Sequence, residues 1–315
     1  MTRISARTAL LMTLPPLLWA GNAVVGRLLV GQVPPLTLNA LRWLIAALLL
    51  APLGYGVLAS AEHRAAIAQR WPHLLLLGLL GVGTYNAMQY LALVSSTPLN
   101  VTLIASSMPV WMLALGALFY GVRVTRRQFA GAALSLAGVL VVVARGEVSA
   151  LARVQLVPGD LYVLVAIIAW AFYSWMLARP PPSMRGDARP RWDWAAFLFV
   201  QILFGLVGAG GAAVAEVIVM PSAQIHWSWG VAAALLYVAV GPSLIAYRCW
   251  GLGIERGGPA LAAFFSNLTP VFAAILSVLL LGEAPRPFHG IAFALIVAGI
   301  LVSSGGASSS STSKR

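Results

Sequence analysis

Residues 194–219 read WAAFLFVQILFGLVGAGGAAVAEVIV, and this stretch decides the class of fold. A helix that crosses a bilayer needs about 20 mainly apolar residues. This run is longer and carries a single charge, at Glu216 near its end. The composition agrees: 60% of the chain is hydrophobic and 9% is charged, whereas a soluble domain carries about 25% charged residues. Soluble globular, disordered, collagenous and coiled-coil proteins are therefore excluded.

The same apolar length recurs along the chain. The links between apolar segments are short and hold turn-forming residues such as Pro34-Pro35 and Gly257-Gly258-Pro259. The alternating pattern of a membrane barrel is absent, and only helices or closed barrels satisfy their backbone groups in lipid. The sequence predicts an all-α polytopic membrane protein with ten transmembrane helices. They cover residues 9–30, 35–59, 72–95, 98–121, 127–144, 158–178, 194–219, 227–254, 258–281 and 287–304.

The positive charges indicate orientation rather than nucleic-acid binding. The net charge is +12, but the arginines are scattered singly along the chain. Most fall in alternate links, and the positive-inside rule assigns those links to the cytoplasm. We therefore expect a multi-pass protein of the cell inner membrane with both termini cytoplasmic. The expected cytoplasmic residues are Arg3, Arg7, Arg64, Arg70, Arg123, Arg126, Arg127, Arg179, Arg185, Arg189, Arg191, Arg256, Lys314 and Arg315.

The two halves of the chain resemble each other. At an offset of 161 residues, two prolines and two glycines of the first half fall on the same residue type in the second half. The pairs are Pro98 and Pro259, Pro109 and Pro270, Gly121 and Gly282, and Gly138 and Gly299. At an offset of 151, Trp19 falls on Trp170. Because five helices per half is an odd number, the halves would enter the membrane from opposite faces. This predicts two inverted five-helix repeats, residues 1–150 and 151–304, around a central cavity, followed by a disordered tail at 305–315. Chance recurrence of glycine and proline in apolar helices is the alternative.

Several motifs match one transporter family in order and spacing. They are Trp19-Ala20-Gly21-Asn22, Leu41-Arg42-Trp43, Gly258-Pro259-Ala260-Leu261-Ala262, Leu268-Thr269-Pro270-Val271 and Leu281-Gly282-Glu283. The chain resembles the drug/metabolite transporter superfamily in its EamA-like ten-helix branch, and within it the YddG-type aromatic amino acid exporters. The resemblance implies export of aromatic and apolar amino acids. One departure is Gly121-Val122, where the family usually has Gly-Glu.

Four aromatic and amide residues are the first candidates for substrate binding. Trp19 and Asn22 are spaced i, i+3 and share a helix face, and Trp170 and Tyr173 have the same spacing. An indole, a phenol and an amide facing one cavity would stack against an aromatic substrate and form hydrogen bonds with its polar end. The alternative is that these rings only pack the helix bundle.

The third and fourth segments add further polar candidates. Tyr85 and Gln89 lie one turn apart, with Asn86 and Tyr90 on the adjoining stripe. Gln89 could instead form a hydrogen bond with a neighbouring helix, as buried amides commonly do. Ser106 precedes Pro109 by three residues.

The same pattern recurs in the second half, where Asn267 precedes Pro270 by three residues. Proline frees a carbonyl about four residues earlier, which makes the carbonyls near Ala105 and Ser266 acceptors for a substrate ammonium. A kink satisfied by hydroxyl side chains is the alternative.

Irregular positions suggest hinges, and a charge within a helix suggests a carboxylate partner. Gly81 in the third segment and Gly241-Pro242 in the eighth interrupt matching positions and, with Pro109 and Pro270, are hinge candidates. Arg42 either reaches the membrane surface by extending its side chain or binds a substrate carboxylate. The sequence is compatible with both roles of Arg42.

Missing motifs restrict the chemistry. The carboxylates within the apolar segments, Asp160 and Glu216, lie near segment ends. Because neither is at mid-depth, we predict facilitated export or exchange rather than proton antiport through a buried acid. No HExxH, GxSxG or P-loop motif and no metal-ligand spacing is present, so neither an enzyme nor a cofactor is expected. Export of cationic drugs by the same fold is the alternative. The expected partners are lipid and an amino acid-like small molecule, without nucleic acid, and a monomer is compatible with the sequence.

Overall fold

A computed structural model describes residues 6–143, 157–222, 224–253, 265–266 and 268–304 of the chain. Within these ranges the regular structure is helical, with no strand. The principal helices are α1 (Ala6–Leu28), α2 (Pro35–Gly54), α3 (Ala61–Ser95), α4 (Pro98–Tyr120), α5 (Arg126–Val143), α6 (Pro158–Ala178), α7 (Trp194–Val219), α8 (Trp229–Gly253), α9 (Leu268–Leu281) and α10 (Pro287–Ser304).

Six of these helices, α2, α3, α4, α6, α7 and α8, are long and apolar enough to cross a membrane. The described parts of α9 and α10 are shorter apolar helices. Side chains on the outer surface are apolar, for example Leu48, Leu118, Ile218 and Leu279, each at least 66% exposed. Soluble proteins rarely expose apolar surface on this scale. The exposed surface is therefore that of a multi-pass membrane protein.

Most helix boundaries agree with the sequence prediction. The α2 helix ends at Gly54, five residues before the predicted end, and a larger difference is in α3. It begins at Ala61, eleven residues before the predicted start at residue 72, with Ser60 accepting a hydrogen bond from the His63 N–H at 3.4 Å. The additional turns carry Glu62, Arg64 and Arg70. An apolar-run criterion does not detect them, because a helix that leaves the bilayer into water is polar.

Two glycines end corresponding helices with the same backbone geometry. Gly121 after α4 has φ +63° and Gly282 after α9 has φ +68°, a left-handed conformation that glycine adopts without steric cost. The following N–H groups then bond six residues back, from Val122 to the Gly116 carbonyl and from Glu283 to the Ser277 carbonyl. A left-handed glycine after the last helical residue is a common helix end, at which backbone N–H groups pair with carbonyls of the preceding turns. The cap uses backbone atoms only, which explains how Val122 replaces glutamate without loss of the helix end.

Among the described helices, three are interrupted near their middle. A π-helical segment, Leu79–Thr84, lies within α3, and another, Ala239–Ile245, lies within α8. In α4 the first helical part ends at Ala105, and a new one starts at Met108. π-Helical turns inside α-helices occur frequently at functional sites, so these interruptions indicate where a site should be sought.

Glu216 caps a helix other than its own. Its carboxylate accepts hydrogen bonds from the N–H groups of Leu36 at 3.0 Å and Thr37 at 2.7 Å, and from the Thr37 hydroxyl at 2.8 Å. These residues form the first turn of α2, where unpaired N–H groups and the helix dipole favour a negative charge. Because Pro34 provides no side-chain cap, α7 supplies one.

We expect Glu216→Gln to lower the free energy of unfolding by about 1–3 kcal/mol, because a neutral amide replaces a charged acceptor. Thermal unfolding in detergent measures the change. Glu62→Gln removes an exposed carboxylate from the first turn of α3 and is the matched control, with an expected change within about 0.5 kcal/mol. A Glu216→Gln protein as stable as the control would contradict the capping role.

Candidate functional site

A cavity of about 50 Å³ lies between α1, α3, α4, α6, α8 and α9. That volume holds a few water molecules, since one needs roughly 10–15 Å³. A solute larger than water therefore enters only if lining side chains move. Six residues predicted from the sequence as substrate-binding line the cavity: Trp19, Tyr85, Gln89, Ser106, Trp170 and Ser266. Ala23, Thr102, Ala105, Met108, Pro109, Trp250 and Thr269 complete the lining.

Trp170 is at the centre of an aromatic cluster that forms one wall of the cavity. Its ring centroid lies 5.9 Å from that of Trp19 in an edge-to-face arrangement and 4.5 Å from that of Tyr85. Trp19 in turn packs against Trp250 at 5.3 Å. Each such pair contributes about 0.5–1.5 kcal/mol beyond the burial of its surface. The rings therefore stabilise one another and present indole and phenol surfaces to the cavity.

Hydrogen bonds to the interrupted helices fix the positions of these rings. The Trp19 Nε1–H donates to the Pro242 carbonyl at 3.3 Å, and the Tyr247 hydroxyl donates to the Gly81 carbonyl at 2.9 Å. Both acceptors lie in π-helical segments. The segments therefore hold rings of the cluster directly, and movement of either segment would move the cavity wall.

Tyr173 packs behind the cavity rather than lining it. Its ring lies 5.0 Å from that of Trp170, and its hydroxyl donates to Gln201 Oε1 on α7 at 3.0 Å. A side chain on Gly81 would meet this ring at 2.8 Å. Glycine at position 81 is thus required for the close approach of α3 to Tyr173.

Asn22 and Arg42 belong to a buried polar network next to the cavity. Arg42 is 0% exposed, so the reading that it extends to the membrane surface is wrong. Its Nε donates to Ser243 Oγ at 2.6 Å, and its Nη1 donates to Asn86 Oδ1 at 2.7 Å and Asn22 Oδ1 at 3.2 Å. Nη1 also reaches the Tyr90 hydroxyl at 3.0 Å. The side chain turns inwards because α1, α3 and α8 offer these acceptors.

The predicted hinge residues fall at or near the helix interruptions. Gly81, Gly241 and Pro242 lie in the two π-helical segments, and Pro109 is the second residue of the later part of α4. Pro270 is buried in the first turn of α9. Asn267 lies outside the described residues.

Trp250 and Thr269 were not predicted from the sequence, although a signal was available for the first. At the repeat offset of 161 residues, Gln89 corresponds to Trp250 and Met108 to Thr269. Extending the repeat from motifs to each candidate would have identified Trp250 as the counterpart of Gln89, whereas Thr269 would not have been found, because Met108 was not a candidate. Ala105 and Ser266 form a third pair at the same offset, and Trp19 and Trp170 form one at 151. All eight residues line the cavity.

Apolar helices with lipid-exposed surfaces and a small aromatic and polar cavity between them define the chain as a multi-pass membrane protein. The chain belongs to the EamA-like transporter family, whose sequence profile matches residues 6–144 and 157–305. Its family and its relatives are transporters rather than enzymes.

Two relatives and one solved structure define the similarity further. The aromatic amino acid exporter YddG of Ancylobacter novellus is 28% identical over 86% of this chain and 88% of its own. The uncharacterized inner membrane transporter YedA of Escherichia coli K12 is 25% identical over 91% of this chain and 87% of its own. A crystal structure at 25% identity superposes with a TM-score of 0.63, covering 95% of this chain and 97% of the other.

Proposed function

We propose that the protein exports amino acids with aromatic or apolar side chains across the inner membrane by alternating access. The observation that carries the proposal is the cavity wall, in which Trp19, Trp170 and Trp250 lie beside the polar groups of Gln89 and Ser106. Aromatic faces bind an apolar or aromatic side chain, while a few polar groups orient the remainder of the solute. The name of the YddG relative, an aromatic amino acid exporter, is consistent with this cargo.

Two inverted five-helix repeats, residues 1–150 and 151–304, with ten membrane spans in total, would supply the mechanism. Repeat-related residues occur in pairs around the cavity, which supports this arrangement. The hydrogen bond from Ser135 to the Ile296 carbonyl joins two residues 161 apart, which are counterparts of each other. Contacts between counterparts are expected at a twofold axis. The π-helical segments of α3 and α8 also correspond at this offset.

The proposed roles follow from these positions. Trp19 and Trp170 would stack on the substrate side chain, and Tyr85 and Gln89 would contact it from α3. Ser106, Ser266 and Asn267 would mark the broken helices that offer carbonyl acceptors. Asn22, Arg42 and Tyr173 would form the second layer around the cavity. Gly81, Gly241, Pro242, Pro109 and Pro270 would act as hinges, with both termini on the cytoplasmic side.

Transport would be facilitated diffusion or exchange. The carboxylate of Glu216 lies near the end of α7 and caps α2. It is therefore engaged in a structural contact away from the cavity, and the cavity lining within the described residues contains no Asp or Glu. Proton antiport through a buried acid would need such a group at mid-depth.

We expect liposomes containing the purified protein and preloaded with labelled phenylalanine to release it several-fold faster than protein-free liposomes. An imposed pH gradient is expected to leave the rate nearly unchanged. Preloaded tetraphenylphosphonium tests the alternative cargo, a lipophilic cation. Release of the cation without release of phenylalanine would contradict the amino acid proposal. A proton flux in fixed ratio to phenylalanine would contradict the uncoupled mechanism.

A further inference from the structure

One turn of α2 holds three buried polar atoms without a hydrogen-bond partner among the described residues. They are Asn39 Oδ1, Arg42 Nη2 and Trp43 Nε1. All three residues are 0% exposed, and their i, i+3 and i, i+4 spacing puts them on one face of the helix. Buried polar groups in native proteins are nearly always paired, and exceptions call for an explanation such as a ligand. Three exceptions on one helical turn indicate a binding site.

The charge of Arg42 is the strongest of these signals. Its hydrogen-bond acceptors among the described residues are the neutral groups of Ser243, Asn22, Asn86 and Tyr90. A buried charge is costly unless it is paired with an opposite charge and fully hydrogen-bonded. The arrangement fixes one side of the guanidinium and leaves Nη2 as a cationic donor. Such a donor suits a carboxylate.

Asn39 and Trp43 add an acceptor and a second donor. The Asn39 Nδ2 donates to the carbonyls of Val82 and Gly83, both at 3.2 Å. Turning the amide over would direct its oxygen at two carbonyl oxygens, so these contacts fix Oδ1 as the unpaired acceptor. Trp43 Nε1–H can only donate. Two donors and one acceptor match the carboxylate and ammonium of a zwitterion.

The three residues lie close to the aromatic cavity. Tyr247 lies between them: its ring centroid is 5.4 Å from that of Trp43 on α2 and 5.6 Å from that of Trp170 in the cavity wall. Its hydroxyl is held by the carbonyl of Gly81 in the π-helical segment of α3. A single ring therefore connects the cavity wall to the turn of α2, and movement of that π-helical segment would release it.

We infer that Asn39, Arg42 and Trp43 form a second subsite that binds the charged end of a free α-amino acid. The carboxylate is received by Arg42 Nη2 and Trp43 Nε1 and the ammonium by Asn39 Oδ1, while the apolar side chain occupies the aromatic cavity. The inference rests on the proposed transport function and narrows its substrates to zwitterions. For one amino acid to occupy both the aromatic cavity and the subsite on α2, Tyr247 must move away from its position between them.

Competition between analogues tests the subsite in the unaltered protein. Proteoliposomes transport labelled phenylalanine in the presence of unlabelled phenylalanine, phenylalaninamide or 3-phenylpropionate. The amide lacks the carboxylate and the propionate lacks the ammonium. We expect each to compete about tenfold or more weakly than phenylalanine, as the loss of hydrogen bonds to a charged group implies. Equal competition by the amide would overturn the subsite and leave the transport proposal intact. Absence of phenylalanine transport would overturn the transport proposal itself.

Variants locate the selectivity in this turn of α2. Arg42→Gln is expected to reduce the preference for phenylalanine over phenylalaninamide about tenfold. Ser277→Ala is the matched control, because Ser277 Oγ is also buried and unpaired among the described residues but lies on α9. The preference of this variant for phenylalanine over phenylalaninamide is expected to equal that of the wild type. If Arg42→Gln does not fold, Trp43→Phe keeps a ring and removes only the N–H donor. It should weaken binding of phenylalanine and leave that of the amide unchanged. Wild-type selectivity in either folded variant would overturn the inference.

Discussion

Replacing Trp170 by alanine is expected to abolish phenylalanine transport and to lower the free energy of unfolding by about 3–5 kcal/mol, the usual cost of removing a buried aromatic side chain. Trp170 is 2% exposed, and its ring contacts those of Trp19, Tyr85, Tyr173 and Tyr247. Its loss therefore removes the centre of the aromatic wall and the packing of four other rings. Transport in liposomes and thermal unfolding in detergent measure the two effects.

Two further variants separate transport from stability. Trp170→Phe keeps an aromatic ring and is expected to recover much of the stability while transport stays below the wild-type rate, because the smaller ring leaves the wall incomplete. Trp229→Ala is the matched control, since Trp229 is 93% exposed and is expected to change neither property. If Trp170→Phe restored full transport, the indole would have only a packing role.

The helices could be predicted from the sequence because their signals are local. The predicted segments 98–121 and 158–178 differ by at most one residue from α4, Pro98–Tyr120, and α6, Pro158–Ala178. Both helices begin at a proline, and a glycine follows the last residue of α4, which explains this agreement. The start of α3 at Ala61 was not predicted, because its first turns are polar.

The site could be predicted only in part, because lining a cavity depends on the partners of a side chain. Trp19 and Trp170 were found from their repeat spacing and line the cavity. Arg42 was found as a charge within an apolar segment, but its depth and its acceptors depend on how α1, α3 and α8 pack around α2. Trp43 was not singled out. Nothing local distinguishes an unpaired indole from one that packs the core.

Alanine at Gly138 or at Gly299 is expected to lower stability by about 1–3 kcal/mol, the usual cost of overpacking a tight contact. A Cβ atom on Gly138 would meet the Ala292 carbonyl oxygen at 2.7 Å, and one on Gly299 would clash with the Gly131 carbonyl oxygen. Backbone atoms cannot move aside as a flexible side chain can, so α5 and α10 must separate. Thermal unfolding in detergent measures the loss.

The two variants also test the relation between the halves of the chain. At the offset of 161 residues Gly138 corresponds to Gly299 and Gly131 to Ala292, so each contact is the counterpart of the other, as in an interface between symmetry-related copies. Similar losses in the two variants are therefore expected. Gly210→Ala is the control, since no atom lies within 4 Å of its Cβ position on α7, and alanine there should stabilise the helix by about 0.5–1 kcal/mol. A loss at one glycine without a loss at the other would contradict a twofold relation between α5 and α10.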